Sequence, residues 1–259
     1  MIKRIINKVN ALINPKPMYG WSGNYSTWDE ASALCSGYNQ DTIFQKVKEA
    51  TLKVKNNEAV YERDSVIFEK VEYSYPLAAF LMWSFFDNKN LDIIDFGGSL
   101  GSTYYQNRLF LQKIENLNWN IVEQEKFVEI GKTYFEDENL HFYYSVDECL
   151  NKSSNKINTI IFSSVLQYLS SPYELLNQIL SNDFKNIIID ITTIHDEDYD
   201  RITIQEVPPS IYEASYPTWF FSEKKFINFF ESKGYKLVND WNLNYNINIG
   251  KHKGYFFIK

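Results

Sequence analysis

A glycine-rich turn that follows an apolar segment is the strongest chemical signal in the sequence. The apolar run Leu91–Phe96 leads into four small residues, Gly97, Gly98, Ser99 and Gly101, and a helical pattern follows. Backbone without Cβ atoms can approach a nucleotide closely, and the first turn of a helix presents free N–H groups to it. Because glycine also marks ordinary tight turns, a second feature is needed before the turn indicates nucleotide binding.

An acid at the end of the next apolar segment supplies that second feature. Glu123 follows Trp119–Val122, lies 22 residues beyond Gly101, and is followed by Gln124. A carboxylate at this point can accept hydrogen bonds from both ribose hydroxyls of a bound adenosine. The alternative is an acid that stabilises the next helix through the helix dipole. With the glycine turn upstream, the sequence favours the ribose role.

Small polar residues follow the third and fourth predicted strands. Ser145 and Val146 stand where the loop of such a sheet flanks the adenine, and Ser163, Ser164 and Gln167 follow the next strand. The carboxyl ends of strands in an open α/β sheet face the ligand crevice, so these residues can line a cofactor. The two serines can also cap the next helix, and the two roles are compatible.

The elements that must position these residues alternate between strand and helix from Leu91 onward. Such alternation is typical of a doubly wound parallel sheet. A final helix over residues 222–232 precedes two segments that can pair as a hairpin at one sheet edge. The predicted strands are Leu91–Phe96, Asn118–Glu123, Leu140–Tyr144, Ile157–Ser163, Asn186–Ile191, Tyr235–Trp241 and Lys251–Ile258.

Residues 2–13 have the pattern of an amphipathic helix. Lys3, Arg4 and Lys8 share one face, and the other face is an apolar stripe of Ile2, Ile5, Ile6, Val9, Leu12 and Ile13. Such stripes usually pack on protein, so the pattern favours docking on the same domain or on a second subunit. The alternative is a helix that lies on a membrane surface.

The chain before the alternating region is predicted to be mainly helical. We therefore expect an N-terminal helical cap over residues 1–87 and a cofactor-binding domain over residues 88–259. The apolar stretch Pro76–Phe86 is too short to span a bilayer and predicts a buried helix. The cap is predicted to contain a loop and short helix over 19–40, then helices over about 41–56, 61–70 and 75–87.

Longer blocks of sequence resemble one family of proteins. The spacing of Asp95, Gly97, Ser99 and Gly101 resembles the methyltransferase pattern acidic-x-Gly-x-Gly-x-Gly, with serine in the middle. The wider resemblance is to S-adenosylmethionine-dependent methyltransferases found in bacterial surface-polysaccharide clusters, for O-antigen, capsule or lipopolysaccharide. It covers nearly the whole chain after residue 18. Its blocks are Tyr19-Gly-Trp-x-Gly, Tyr61-Glu-Arg-Asp-Ser65, Asp95-Phe-Gly-Gly-Ser-Leu-Gly-Ser-Thr-Tyr-Tyr-Gln106, Val122-Glu-Gln124, Ser163-Ser-Val-Leu-Gln-Tyr168 and Tyr212-Glu-Ala-Ser-Tyr-Pro217.

This resemblance implies a fold, a cofactor and an acceptor class. The implied fold is α/β, a class I methyltransferase with a Rossmann-like seven-stranded sheet. The implied cofactor is S-adenosyl-L-methionine, held through Gly97, Gly98 and Glu123, and the implied acceptor is of sugar type. One block departs from the family, because Ile191 follows Asp190 where an arginine is expected. Any role of an arginine at that position is therefore in doubt.

Three residues are candidates for catalysis. Methyl transfer from a sulfonium to an oxygen needs alignment and often a base that takes the hydroxyl proton. His195 lies just past the fifth predicted strand, and an imidazole is a common general base in enzymes, although a loop histidine is often incidental. Tyr212 and Tyr216 lie on a predicted acceptor-side loop, where they can stack on a sugar or simply pack.

Three residues of the cap are candidates for substrate binding. Arg63 can clamp a phosphate or the cofactor carboxylate, or it can pair with Glu62 or Asp64. Tyr19 and Trp21 supply flat aromatic surface beside two glycines.

Composition limits the remaining classes of function. The net charge is −7 and the pI about 5.1, which argues against nucleic-acid binding. Only Cys35 and Cys149 are present, so no disulfide framework or cysteine-rich zinc site is expected. The acids after His195 can in principle hold Mg²⁺, but clustered acids are usually solvated, and we expect no metal. No apolar segment follows the basic start, which favours a cytoplasmic protein, with weak contact to the inner membrane face through residues 2–13 as an option.

The sequence therefore predicts an enzyme that O-methylates a sugar, sugar nucleotide or glycan precursor of a bacterial surface polysaccharide. One alternative is a small-molecule or lipid-linked O-methyltransferase at the membrane surface. Another is a non-catalytic protein that keeps the fold and the cofactor. The acceptor and the oligomeric state stay open.

Overall fold

The computed structural model describes residues 19–35, 40–211 and 213–259. The amphipathic segment 2–13 and Tyr212 lie outside the described residues. The first described elements are β1 (Gly20–Tyr25), α1 (Trp28–Ser32), α2 (Gln40–Lys55), β2 (Tyr61–Arg63), β3 (Val66–Phe68) and α3 (Tyr75–Asn88).

Two secondary-structure predictions for this part were wrong. The helix predicted over 61–70 is a hairpin, because β2 and β3 pair antiparallel around a two-residue turn. The loop predicted at the start of 19–40 contains strand β1, and a short helix follows it as predicted.

Five parallel strands form the centre of the sheet, and the predicted segments for them are confirmed. They are nearly continuous apolar runs, as expected for strands covered by helices on both faces. The last of them continues to His195, four residues past the predicted end. They are β4 (Leu91–Phe96), β5 (Leu117–Val122), β6 (Leu140–Tyr143), β7 (Thr159–Ser163) and β8 (Asn186–His195), in the spatial order β6-β5-β4-β7-β8.

Three strands extend the sheet beyond the end of β8, and they pair antiparallel with one another. Strands β9 (Arg201–Val207) and β10 (Ala214–Ser222) pair with each other, and β1 adds to the free edge of β9. Strand β10 joins the main sheet where Phe221 and Ser222 pair with the end of β8. The acceptor-side loop predicted around Tyr216 is therefore a strand, which fixes that residue on a rigid surface.

The predicted edge hairpin is confirmed. It consists of β11 (Lys236–Leu243) and β12 (Lys251–Ile258), and β12 pairs antiparallel with β8. The core order is thus β6-β5-β4-β7-β8-β12-β11, in which six strands run in one direction and β12, beside β8, is reversed. This core is a seven-stranded, Rossmann-like α/β sheet, as the sequence predicts.

Helices cover both faces of the sheet. One apolar cluster lies under α2, α3, α4 (Ser102–Leu111) and α5 (Glu125–Tyr134). The other lies under α6 (Val146–Lys152), α7 (Pro172–Leu180) and α8 (Glu223–Ser232). Among the described residues, no helix has the length and apolar character needed to cross a membrane.

Helix α3 confirms the predicted helix at Pro76–Phe86, but only one of its faces is buried. Leu77 and Leu81 are almost fully buried, whereas Tyr75, Trp83 and Phe86 are 69%, 49% and 75% exposed. The prediction of a buried helix therefore holds for the inner face alone.

Candidate active site

The glycine turn after β4 is shaped by close packing beneath it. Gly97 has φ +72°, and a Cβ there would lie 2.4 Å from the Val165 side chain. A Cβ on Gly98 would lie 2.6 Å from the carboxyl group of Asp95. Gly101 has φ +102° and begins α4. A side chain at either of the first two positions would therefore fill the space in which the backbone turns.

The Asp95 side chain packs against the backbone of this turn at Gly98. It is fully buried, accepts a 3.0 Å hydrogen bond from Nε1 of Trp119, and has no partner for Oδ1 among the described residues. Burial raises the pKa of Asp95 to about 7, and the indole hydrogen bond opposes the rise. Asp95 therefore lies under the turn rather than in open solvent.

A cleft of about 690 Å³ opens at the carboxyl ends of the parallel strands. The ends of β4 and β5 contribute Gly97, Glu123 and Gln124, and the loop after β6 contributes Ser145 and Val146. The sequence predicted each of these five for the cofactor. The cleft is large enough for one nucleoside-sized ligand, because small-molecule sites span about 300–1,000 Å³.

Glu123 is held in place at the mouth of the cleft. Its Oε2 accepts a 2.6 Å hydrogen bond from the backbone N–H of Gln124. Burial raises the pKa of Glu123, and hydrogen bonds from the backbones of Gln124 and Ser99 oppose the rise. Ser99, predicted for the cofactor, therefore links the glycine turn to the acid at the next strand.

The loop after β6 combines a helix cap with an aromatic surface. Ser145 caps α6 by accepting a 3.0 Å hydrogen bond from the N–H of Glu148. Tyr144 lines the cleft and is 48% exposed. Sequence reasoning missed Tyr144, because the loop was taken to start at Ser145. A half-exposed ring beside the cleft can stack on a base.

The residues after β7 bind mainly to the protein itself. The N–H of Ser164, whose φ is +53°, donates to the Asp190 carbonyl at 2.9 Å. Gln167 is fully buried and donates to the Ile191 carbonyl at 3.0 Å. Ser163 pairs with Asp190 across β7 and β8. These predicted cofactor residues hold the loops after β7 and β8 together, and they do not line the cleft just described.

Asp190 connects the sheet to the start of α3. It is 1% exposed and accepts hydrogen bonds from Nε1 of Trp241 at 3.0 Å and from the Ser74 hydroxyl at 3.3 Å. Burial raises its pKa to about 6, while these bonds and the positive charge of Arg63 oppose the rise. Ile191, which stands where the resemblance expects an arginine, has φ +54° and lies at the register shift in the pairing of β8 with β12. Arg63 supplies a guanidinium near Asp190 from another part of the chain.

Arg63 belongs to a cluster of aromatic residues over the end of β8. It donates to the Tyr245 hydroxyl and lies 5.1 Å from the centre of that ring. His252 packs at 5.6 Å from Tyr245 and 5.7 Å from Trp21, by ring centroids. Burial lowers the pKa of His252 to about 4, so the imidazole is neutral near pH 7. Among the described residues, neither Nδ1 of His252 nor Nε1 of Trp21 has a hydrogen-bond partner.

The remaining acceptor-side predictions fall in different places. Tyr216 packs edge-on against Tyr168 at 5.3 Å, beside the loop after β7. Tyr19 is 38% exposed at the start of the described chain. His195 is five residues beyond Asp190, which is about 16 Å of extended strand, and it packs against Tyr199 at 5.5 Å. The structure thus brings Tyr216 towards the strand ends and places His195 farther from them.

The acidic side chains after His195 bind different partners and do not form one cluster. Asp196 pairs with Lys251 and Asp198 with Lys224, while Asp200 accepts from the Ser222 N–H at 2.8 Å. No group of three or more metal-binding side chains converges within the described ranges.

Sequence reasoning missed His252, Tyr245, Asn248 and the linking role of Asp190. Tyr245, Asn248 and His252 lie in or beside the segment that joins the two strands of the predicted edge hairpin, and no motif marks them. They lie together only because the folded chain brings the end with β12 into contact with Trp21 on β1. No local pattern could have identified them.

Comparison with known proteins gives structural matches only. No protein-family model matches the chain, and a search of curated proteins found no match. Magnesium protoporphyrin IX methyltransferase from Synechocystis PCC 6803, with bound SAM, is 11% identical and covers 86% of this chain and 99% of its own, with a TM-score of 0.47. An S-adenosylmethionine-dependent methyltransferase from Clostridium acetobutylicum is 9% identical and covers 72% and 92%, with a TM-score of 0.47.

A third solved structure is similar to the same degree. The 1,6-didemethyltoxoflavin-N1-methyltransferase of Burkholderia thailandensis is 10% identical and covers 86% of this chain and 91% of its own, with a TM-score of 0.45. Function must be argued from the site, because one fold carries many activities.

Proposed function

We propose that this protein is an S-adenosylmethionine-dependent methyltransferase. The observation that carries the proposal is the single cleft that joins Gly97, Glu123 and Val146 at the carboxyl ends of three neighbouring parallel strands. An acid for the ribose hydroxyls and a turn without side chains are the features that an adenosine ligand requires at such a crevice.

The residues of the cleft fit this cofactor. The turn at Gly97 and Gly98 leaves no room for a Cβ, which is the expected form of a backbone cradle for a ligand. Tyr144 and Val146 offer apolar surface to the adenine, and Glu123 offers a carboxylate to the ribose. When bound, the cofactor would supply a methyl group on a sulfonium. The protein's own part is alignment and the exclusion of water.

For the acceptor, we propose a sugar, a sugar nucleotide or a related glycan precursor. The sequence resemblance suggests this class, and two structural features support it. We assign the aromatic rings of Trp21, Tyr245 and Tyr216 to the acceptor, because such rings can pack on the apolar faces of a sugar ring. Arg63 donates to the Tyr245 hydroxyl, and its other guanidinium N–H groups can contact a phosphate.

The test of the cofactor assignment is calorimetry with S-adenosylhomocysteine. Glu123→Ala should weaken binding by about 1.5–3 kcal/mol, the range for hydrogen bonds to a charged group. The matched control is Glu125→Ala, because Glu125 is an exposed acid two residues farther along, in the first turn of α5. If the two variants bind equally well, the ribose role of Glu123 is wrong. If the unmodified protein does not bind the ligand at all, the methyltransferase proposal itself is wrong.

The test of the acceptor class is methyl transfer to a panel of sugar nucleotides, read by mass spectrometry. The expected product carries one additional methyl group on a sugar oxygen. Cofactor binding without transfer to any member of the panel, or to free and lipid-linked sugars, would favour the non-catalytic alternative.

A further inference from the structure

A second cavity, of about 940 Å³, lies at the amino ends of the parallel strands. Asn90, Asn116 and Asn139 line it, and each is the residue directly before a strand, namely β4, β5 and β6. The cleft at Gly97 and Glu123 lies at the carboxyl ends of the same strands. We call the second cavity the amino-end pocket, and it is separate from that cleft.

The same dipeptide begins all three of these strands. Asn-Leu occurs at 90–91, 116–117 and 139–140. The three leucines are buried in the core, whereas none of the three asparagines is buried. Because neighbouring parallel strands lie about 4.8 Å apart and start at the same end of the sheet, the three amides come close together. The core therefore uses the leucines, and the amides remain for the pocket.

The carboxylate of Asp92 fixes further amides of the pocket. It is 6% exposed and accepts hydrogen bonds from Nδ2 of Asn90, Asn118 and Asn155, which all line the pocket. The bond from Asn118 measures 2.5 Å, and Asn155 donates to both carboxylate oxygens at 3.4 Å. Bonds to a charged acceptor are strong. Since Nδ2 and Oδ1 lie on opposite sides of the amide carbon, each amide turns its Oδ1 away from Asp92.

The charged side chains of the pocket disfavour an anionic ligand. The lining includes two acids, Glu115 and Glu138, and one cation, Arg108. Arg108 already donates to the Val54 carbonyl at 3.2 Å and to Oδ1 of Asn57 at 3.0 Å. A phosphate or carboxylate would therefore meet more negative than positive charge in this pocket.

The donor and acceptor groups suit hydroxyls better than a metal ion or an amine. Asp92 is buried and already accepts bonds from three amides, while Glu115 and Glu138 are exposed to water. No three metal-binding side chains converge in the part of the chain that the structure describes. An amide offers both a donor and an acceptor, and so does a hydroxyl. Adjacent hydroxyls on one ring therefore match a set of fixed amides.

Tyr104 adds an aromatic surface to the pocket. It lines the cavity and is held edge-on by Trp119 at 5.7 Å and by Tyr105 at 5.2 Å, between ring centroids. Leu111 and Ile114 line the cavity as well. A ring fixed in this way can pack on the apolar C–H face of a sugar. The volume also fits, because small-molecule sites span about 300–1,000 Å³.

We propose that the amino-end pocket binds a neutral sugar, either free or as one unit of a glycan chain. The sugar hydroxyls bond to the amides of Asn90, Asn118 and Asn155, and Tyr104 packs against the ring. This site is distinct from the proposed acceptor site, and the proposal does not depend on methyl transfer.

The experiment is an NMR titration of the full-length protein with glucose, galactose, mannose, N-acetylglucosamine and maltotriose. At least one of them should bind, and Asn155→Ala should weaken that binding about tenfold, because one amide contact is lost. The matched control is Asn151→Ala, which removes an exposed amide of α6 outside the pocket and should leave binding unchanged. Tighter binding of maltotriose than of glucose would identify a chain unit as the ligand, and equal binding a free sugar.

A second pair of variants tests the aromatic contact. Tyr104→Phe should bind the sugar nearly as well as the original protein, whereas Tyr104→Ala should bind it about tenfold more weakly, because the ring is lost. Thermal unfolding checks that each variant is folded. Failure of all five sugars to bind, or binding that Asn155→Ala leaves unchanged, would overturn the proposal. Sugar that S-adenosylhomocysteine displaces, or that Tyr216→Ala releases, would lie at the other end of the strands and would also overturn it.

Discussion

Glu62 is a carboxyl group that the fold keeps away from water. It is 1% exposed, its Oε1 accepts from the Ser102 hydroxyl, and its Oε2 has no partner in the described part of the chain. Burial raises its pKa to about 7, and the bond from Ser102 opposes the rise. Between about pH 4.5 and 7 the folded protein therefore binds this proton more often than the unfolded chain does. The free energy of unfolding must fall as pH rises through that window.

Glu62→Gln should remove this pH dependence, because an amide resembles the protonated acid and does not titrate. At pH 8 the variant should be more stable than the original protein, by up to about 3 kcal/mol for a shift of this size. At pH 4.5 the two should be nearly equal. Urea unfolding at both pH values measures this, with Glu69→Gln, an exposed acid just after the hairpin, as the control. A stability difference that is the same at both pH values would contradict the assignment.

His195 ends β8 and His252 lies on the neighbouring strand β12. Their surroundings differ, so we expect different kinetic effects when each is replaced. His195 lies beyond the row of strand ends, whereas His252 lies in the cluster with Trp21 and Arg63. We expect His195→Ala to lower kcat only a few-fold, because a base must be within hydrogen-bond reach of its proton. His252→Ala should act mainly on acceptor affinity. Steady-state kinetics with an acceptor from the sugar-nucleotide panel measures both.

If His195 is the catalytic base, His195→Ala should give a different kinetic result. A loss of about 10²–10⁴ in kcat with unchanged cofactor affinity would support the base role that the sequence suggests. His141, on β6, provides the control substitution at the third histidine.

At the scale of elements, the turn between β2 and β3 is strained. Arg63 pairs with Val66, so Asp64 and Ser65 form a two-residue turn, with φ of +50° and +70°. Two-residue hairpins of this geometry favour Asn-Gly, because side chains with Cβ atoms disfavour positive φ. Glu62 and Arg63, which precede this turn on β2, point to opposite sides of the hairpin because side chains alternate along a strand.

Ser65→Gly should therefore stabilise the protein by about 0.5–1 kcal/mol, since glycine tolerates positive φ but loses more entropy on folding. Ser65→Ala is the control, because it removes the hydroxyl and retains the Cβ. Thermal unfolding compares the two. If alanine stabilises as much as glycine, the backbone is not the source of the gain.

The same hairpin shows why some elements were predictable and others were not. Strands β4 to β8 are long apolar runs, and burial on both faces of a parallel sheet dictates that pattern locally. Strands β2 and β3 have three residues each, and their turn lacks the glycine that usually marks a hairpin. The missed strand β9, Arg-Ile-Thr-Ile-Gln-Glu-Val, did carry an alternating signal. In the candidate site, the glycine turn and Glu123 were predictable because strand order alone brings them together.

At the scale of the whole molecule, the first described strand is fastened to the last loop. The Asn248 side chain accepts from the Trp21 N–H at 2.9 Å and donates to the Trp21 carbonyl at 2.7 Å. These residues are 227 positions apart. The two bonds close the aromatic cluster over β8, while the cofactor cleft lies along the ends of β4, β5 and β6. The proposed acceptor side and the proposed cofactor side thus depend on different contacts.

Asn248→Ala should affect these two sides differently. It leaves both backbone groups of Trp21 without their partner, so unfolding should become easier by about 1–3 kcal/mol, and exchange of β1 amides should accelerate. Affinity for S-adenosylhomocysteine should not change, because no residue that holds the cleft moves. Methyl transfer should fall through a higher KM for the acceptor, since the cluster that receives it has loosened. Asn246→Ala is the matched control, because Asn246 is exposed in the same loop. Calorimetry and exchange measure the effects, and a parallel loss of cofactor affinity would show that the two sides form one coupled site.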